Sequence, residues 1–147
     1  MTTQTVDREL KERMVRAYYG LRTRMHEAAP ASGRAAALPR TWRHSLLLID
    51  DQPGVTPSAL AALLGVTPAA VSPATRELRD RGLIERTTDP RDGRSVQLTI
   101  APAGAELVAE LRRHLEVVID DLFEPLSVDE RGQLVDLLER SLRIDTA

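Results

Sequence analysis

Two Thr-Pro dipeptides, Thr56-Pro57 and Thr67-Pro68, stand eleven positions apart and bracket the apolar run Leu60 to Val66. A threonine hydroxyl accepts from one of the unpartnered N–H groups in a helix's first turn. A proline directly after it lacks an N–H that would have had no partner there anyway. Each dipeptide therefore starts a helix, and the spacing leaves the first one only about two turns. Between them Ala61 is small enough for close helix approach and Gly65 supplies the turn, which is the helix-turn-helix pattern. Leu60, Leu64, Val66, Val71 and Leu78 are expected to bury the crossing of the two helices. Gly82 is expected to end the second helix in the left-handed conformation, with Leu83 beyond it.

After Gly82 the apolar period changes from 3.6 to 2. Ile84 opens one strand, and Val96, Leu98 and Ile100 alternate with Ser95, Gln97 and Thr99 in another. The loop from Thr88 to Arg94 is long and basic at its tip, so the strand pair reads as a wing. Elsewhere the period is helical. A first helix over about 5–27 sets Leu10, Met14, Ala17, Leu21 and Met25 on one face, and 28–38, with Pro30 and Gly33, is a connection. A second helix over about 40–52 offers Trp42, Leu46, Leu47 and Ile49 to the core and stops at Gln52-Pro53-Gly54. A helix over about 102–123 aligns Leu107, Leu111, Leu115, Val118 and Leu122. The last begins at Ser127, where Glu130 completes a capping box, and carries Leu134, Leu137, Leu138 and Leu142. The fold class is mainly α with a small β-wing. We expect one domain over 1–147, with a winged helix-turn-helix lobe over 39–101 and a helical dimerisation region from 1–38 and 102–147.

The chain has no cysteine, which removes disulfides, thiol nucleophiles and cysteine zinc sites together. One Trp, two Tyr and one Phe leave the packing to Leu, Val, Ile and Ala. No apolar run is long enough to span a bilayer, and MTTQTVDREL is acidic where a signal peptide starts basic. A cytoplasmic location and no membrane partner are expected. His26, His44 and His114 fall on three different helices, so no metal ligand set is evident. The adjacent acids Asp50-Asp51 and Asp120-Asp121 point about 100° apart on a helix and read as solvated surface groups rather than catalytic dyads. G-x-S-x-G, Walker A, H-E-x-x-H and G-x-G-x-x-G motifs are all absent. The expectation is no enzyme and no cofactor.

Charge is unevenly distributed along the chain. Residues 102–147 hold 11 acids and 5 bases, whereas 1–101 hold 15 bases and 11 acids. Of the 20 basic residues only Lys11 is a lysine, a bias that genome composition alone can produce, so the positions of the arginines matter more than their number. With Val71, Ala74 and Leu78 turned inward, the helix from Thr67 leaves Thr67, Ala69, Ser72, Pro73 and Arg76 on the face that would enter the major groove of double-stranded DNA. Arg79 is in reach of phosphate. Arg91 and Arg94 stand at the wing tip, Arg94 suited to a narrow minor groove. Pro73 is the sixth residue of that helix and removes the hydrogen bond to the Ala69 carbonyl, nominally about 3 kcal/mol. A kink or a displaced first turn is expected, with base readout leaning on apolar contact and shape.

The set Val71-Ser72, Leu78, Gly82-Leu83-Ile84, Arg86, Asp92-Gly93-Arg94, Leu98, Ile100 and Gly104 resembles the MarR family of winged-helix transcriptional regulators. So does the stretch from Leu122 to Ser127 that leads into Glu130 and Leu134, and the resemblance covers about 10–143. It implies a homodimer whose first and last helices interlock, with Leu10, Met14, Leu122, Leu126, Leu134 and Leu138 at the interface. It also implies repression from a pseudo-palindromic operator, a wing braced by Asp92, and a crevice for a small aromatic or anionic effector. Tyr18, Tyr19, Met25, Trp42, Arg43 and His44 are the candidates for that crevice. Lack of cysteine excludes the family's thiol-oxidising sensors. Pro73 stands where an arginine or other polar reader is common, and Ala101 where a threonine usually caps the next helix. A second reading follows from Pro73 and from the near-neutral segment 68–100, with 6 Arg against 5 acids. It is a dimeric protein-interaction module of the same fold without specific DNA binding.

Overall fold

The computed structural model describes residues 3–27, 33–88 and 96–142. In chain order the elements are α1 (Thr3–Glu27), a short 3-10 turn (Ala35–Ala37), α2 (Arg40–Asp51), α3 (Pro57–Leu64), α4 (Pro68–Asp80), β1 (Ile84–Thr88), β2 (Val96–Ile100), α5 (Pro102–Phe123) and α6 (Val128–Leu142). Arg91, Asp92 and Arg94 lie outside the described residues.

The helix-turn-helix forms through local chemistry. Thr56 Oγ1 accepts from the Ala59 N–H at 3.2 Å and Thr67 Oγ1 from the Ala70 N–H at 3.3 Å. Gly65 adopts φ 67°, and the Gly65 and Val66 N–H groups donate to the Ala62 and Ala61 carbonyls at 3.1 and 3.0 Å. Helix α4 ends in the same way: Gly82 has φ 68°, and the Gly82 and Leu83 N–H groups donate to Arg79 and Leu78 at 2.8 and 2.9 Å. Both are Schellman terminations, in which a residue without Cβ takes the left-handed position. Leu60, Ala61, Val71 and Leu78 are buried and Leu64 is half-buried. Val66 departs from the expectation and is 42% exposed. Its N–H closes the turn on the Ala61 carbonyl, one residue past the left-handed Gly65, and its side chain stays on the outer corner of the turn. Helix α4 runs unbroken through Pro73, with its first turn in register on Thr67.

Strands β1 and β2 pair antiparallel, Ile84 opposite Ile100 and Arg86 opposite Leu98. Thr88, expected in the loop, is instead the last residue of β1, opposite Val96. Val55 bridges to Leu98, with the Gly54 N–H donating to Leu98 O at 2.8 Å and the Leu98 N–H to Val55 O at 3.0 Å. That bridge ties the entry to α3 onto the wing.

The chain divides into two compact units, 29–115 and 1–28 with 116–147, so the boundary falls inside α5 rather than at 38/39 and 101/102. The reason is visible in the core of the first unit. Leu46, Ile49, Leu60, Val71, Leu78, Ile84 and Leu98 pack with Ala35 and Leu38 from the connection and with Leu107, Val108 and Leu111 from α5. Leu107 and Leu111 are one helical turn apart, so α5 presents an apolar stripe to this core. Polar contacts reinforce the seam: Arg34 meets Glu106 at 3.0 Å and the Ala35 N–H donates to Glu110 at 3.1 Å. Arg112 holds both Asp50 and Asp51 at 2.6 Å. These two acids, expected to be solvated, are bridged by this guanidinium, whose charge offsets their mutual repulsion and their unfavourable place at the C-terminal end of α2. Their hydrogen bonds, Asp51 first and then Asp50, raise the Arg112 pKa above its ordinary value. Ala101, which cannot cap α5 with a side chain, is fixed by its N–H donating to Leu83 O at 3.1 Å.

The second unit contains α1, the end of α5 and α6. The capping box forms reciprocally: the Ser127 N–H donates to Glu130 Oε2 at 2.8 Å and the Glu130 N–H to Ser127 Oγ at 3.3 Å. The Ser127 backbone bond holds the Glu130 carboxyl below the usual range. Arg131 Nε donates to the Phe123 and Leu126 carbonyls at 3.1 and 3.2 Å and fastens the α5–α6 corner. Among the described residues of this unit none is fully buried. Leu122, Leu126 and Leu134 are half-buried, and Leu10, Met14 and Leu138 are exposed.

Candidate nucleic-acid interface

Helix α4 is amphipathic, with Val71, Ala74 and Leu78 in the core and Thr67, Ala69, Ser72, Pro73, Arg76 and Arg79 exposed, as expected from the sequence. The hydroxyls of its outer face are turned back on the helix. Ser72 Oγ donates to Pro68 O at 3.1 Å, and Thr75 Oγ1 lies 3.3 Å from Val71 O and 3.1 Å from Ser72 O. Their hydrogens are committed to backbone, so toward solvent these oxygens act as acceptors.

Beside this face lies a cavity of about 180 Å³. Pro57, Ile84 and Leu98 form its apolar walls, and Ser72, Thr75, Arg76, Arg79 and Arg86 supply its polar lining. Arg86 was not among the sequence-derived DNA contacts, although strand parity could have found it. It shares the face of Ile84, which packs into the core beneath α4, and so sends a long cation to that helix. Of the three arginines, Arg79 donates from Nε and Nη2 to Asp80 Oδ1 at 3.0 and 2.7 Å. Arg76 and Arg86 pair with no described acid. An exposed pair such as Arg79–Asp80 is worth about 1 kcal/mol or less and is readily exchanged for another anion.

The six effector candidates are shared between the two compact units. Tyr18, Tyr19 and Met25 lie on α1, the tyrosine rings edge to face at 5.3 Å and more than half exposed. Trp42, Arg43 and His44 lie on α2 and have different surroundings. Arg81 sits over the Trp42 ring at 4.9 Å, and Arg43 Nη1 donates to Leu38 O at 3.0 Å. His44, with Leu47, Leu48, Leu63 and Leu64, lines a cavity of about 320 Å³ between α2 and α3 that sequence reasoning missed, because α3 adds two of its walls. Burial, then the charges of Arg40 and Arg43, lower the His44 pKa below its ordinary 6.5. The unfolded chain therefore takes up this proton more readily than the folded one. The His44 contribution to stability is complete above pH 6.5 and is lost as the pH falls toward the folded-state value. Thermal melts between roughly pH 5 and pH 8 are expected to show His44→Gln flattening the acid side of the profile. An unchanged slope would count against this environment.

Among the described residues no group of three or more His, Asp or Glu is placed to hold a metal ion, and no single helix is long and apolar enough to cross a membrane. A helix-turn-helix followed directly by a two-stranded wing, with an exposed polar second helix, defines a winged-helix protein. Residues 38–95 match the model of the MarR family of transcriptional regulators, a family of non-enzymatic proteins. A candidate transcriptional regulatory protein for the hcr operon of Thauera aromatica is 34% identical over 101 residues, 69% of this chain and 61% of that relative. The match thus spans about three fifths of the relative's length. The fold is shared with Streptococcus pneumoniae FabT, solved in complex with DNA, at TM-score 0.69 and 20% identity over 92% of this chain and 94% of FabT. It is shared also with Bordetella bronchiseptica BpsR, whose DNA binding is regulated by 6-hydroxynicotinic acid, at TM-score 0.67 and 24% identity over 90% and 98% of the two chains.

Proposed function

We propose that the protein is a sequence-specific DNA-binding repressor that occupies a pseudo-palindromic operator as a homodimer. The observation that carries this is the exposed outer face of α4 beside Arg76, Arg79 and Arg86, two of which have no acidic partner among the described residues. Thr67, Ala69, Ser72, Pro73 and Arg76 face the bases of a major groove, and Arg79 and Arg86 hold phosphates. Arg91 and Arg94, steadied by Asp92, extend the contact from the wing tip. The MarR fold, shared with a protein solved on DNA, supports this reading.

Dimerisation is supported by the unit of α1, the end of α5 and α6. It leaves Leu10, Met14, Tyr18, Leu137 and Leu138 exposed and buries no described side chain fully, so its apolar faces need a second copy. Two lobes then address half-sites about one helical turn apart. A small aromatic or anionic effector releases the DNA. The likeness to BpsR and the His44 cavity support this part, with Tyr18, Tyr19, Met25, Trp42, Arg43 and His44 as its candidate contacts.

The test is titration of a fluorescent duplex from upstream of the protein's own gene at several salt concentrations, with sedimentation at the same protein concentration. Sequence-specific binding that weakens steeply with salt, by a dimer, is the expected result. Absent binding, equal binding to scrambled DNA, or a lone 16.2 kDa particle would overturn the reading and favour the protein-interaction module.

A further inference from the structure

The first two turns of α4 hold an arrangement that ordinary helices lack. Pro73 has no N–H, so the Ala69 carbonyl loses the donor that would close its i to i+4 bond, yet the helix continues past it. No side chain, and no backbone group outside the helix, donates to Ala69 O among the described residues. Ala69, Ser72 and Pro73 are all exposed. The Ser72 hydroxyl, its hydrogen held by Pro68 O, adds a second acceptor to the same face. What this surface offers around Pro73 is hydrogen-bond acceptors flanked by the Ala69 methyl and the Pro73 ring, with the Thr67 hydroxyl at the helix start and Arg76 a turn further on as the side-chain donors to either side.

Only two major-groove base edges are complementary donors, the N6 amine of adenine and the N4 amine of cytosine. The only apolar group there is the thymine methyl. We infer that the carbonyl freed by Pro73 is a base-reading group, accepting from an exocyclic amine while the Pro73 ring packs on the thymine methyl of the same or a neighbouring pair. An A·T step supplies both features, so it is the preferred step under the N-terminal half of α4. Guanine, whose O6 and N7 are acceptors, meets no donor at the Ala69 carbonyl, the Ser72 oxygen or the Pro73 ring and is left to Arg76. The inference rests on the reading of α4 as the helix that lies in the groove. Within that reading it makes the proline, which deletes a helix bond, a determinant of sequence preference.

The experiment begins by selecting a preferred site from a random duplex pool with the full-length protein. Affinities of the wild type and Pro73→Ala are then measured for that site with one amine deleted at a time, purine replacing adenine or 2-pyrimidinone replacing cytosine. A third series replaces thymine by uracil to remove methyl groups. At one half-site position the wild type is expected to lose about tenfold on amine deletion, the scale of one base contact. Pro73→Ala restores the helix N–H and is expected to lose less than about twofold there, with an unchanged salt slope as the sign that phosphate contacts persist. Equal losses by both proteins at every position, or no amine whose deletion weakens the wild type, would overturn the inference and leave the groove reading intact. Failure to select any site would overturn both.

Discussion

Gly104→Ala is expected to destabilise the protein by about 3 kcal/mol, at the upper end of what overpacking by one carbon does, and to lower Tm by roughly 10 °C. A Cβ at this position would fall inside the van der Waals sphere of the Leu83 carbonyl oxygen, 2.9 Å from the Leu83 carbonyl carbon and 3.2 Å from Ile100 Cγ2. The obstacle is backbone and cannot rotate away. That same carbonyl receives the Ala101 N–H, so moving it also disturbs the start of α5. The control is Gly132→Ala within α6, where nothing lies within 4 Å of the added carbon. There the change is expected to stabilise by about 0.5–1 kcal/mol, because glycine loses more chain entropy in a helix than alanine does. Chemical denaturation of the two variants should give shifts of opposite sign. A Gly104→Ala midpoint within error of the parent would refute the packing described around Leu83.

Arg76→Ala and Arg86→Ala are expected to weaken operator binding by different routes. Arg76 lies on the outer face of α4, so its loss should cost about 1–3 kcal/mol, roughly tenfold to a hundredfold in affinity, and relax preference at one base position. Arg86 reaches the same cavity from β1, at the edge of the reading face. Its loss should weaken all sequences alike and reduce the salt dependence by about one ion per lobe. Anisotropy titrations over a salt series on matched and scrambled duplexes separate the two. If Arg86→Ala leaves both affinity and salt slope unchanged, the cavity beside α4 is not part of the phosphate contact.

The parts of the fold that were legible in the sequence are those set by neighbours along the chain. Threonine caps, left-handed glycines and the Ser127–Glu130 box each need residues no more than five apart, and all formed where the residue types put them. What escaped depends on distant partners. Arg112 reaches Asp50 and Asp51 across some sixty positions, and no local pattern announces which arginine will answer a pair of acids. Helix periodicity showed that α5 has an apolar face but not that Leu107, Val108 and Leu111 serve the winged lobe, which moved the expected boundary into the middle of the helix. Val66 is apolar without being buried, because its place after Gly65 leaves it facing outward. The exposed face of α4 was readable from three inward residues, while the company of Arg86 required the strand to be laid beside the helix.

The stacking of Arg81 on Trp42 has a practical side. Trp42 is the sole indole in the chain, and the guanidinium above it belongs to the residue that closes α4. Indole emission from this protein, excited apart from that of the two tyrosines, therefore originates beside the C-terminal end of α4. Any duplex or small molecule that tilts that helix alters the light given off, without a dye having been attached.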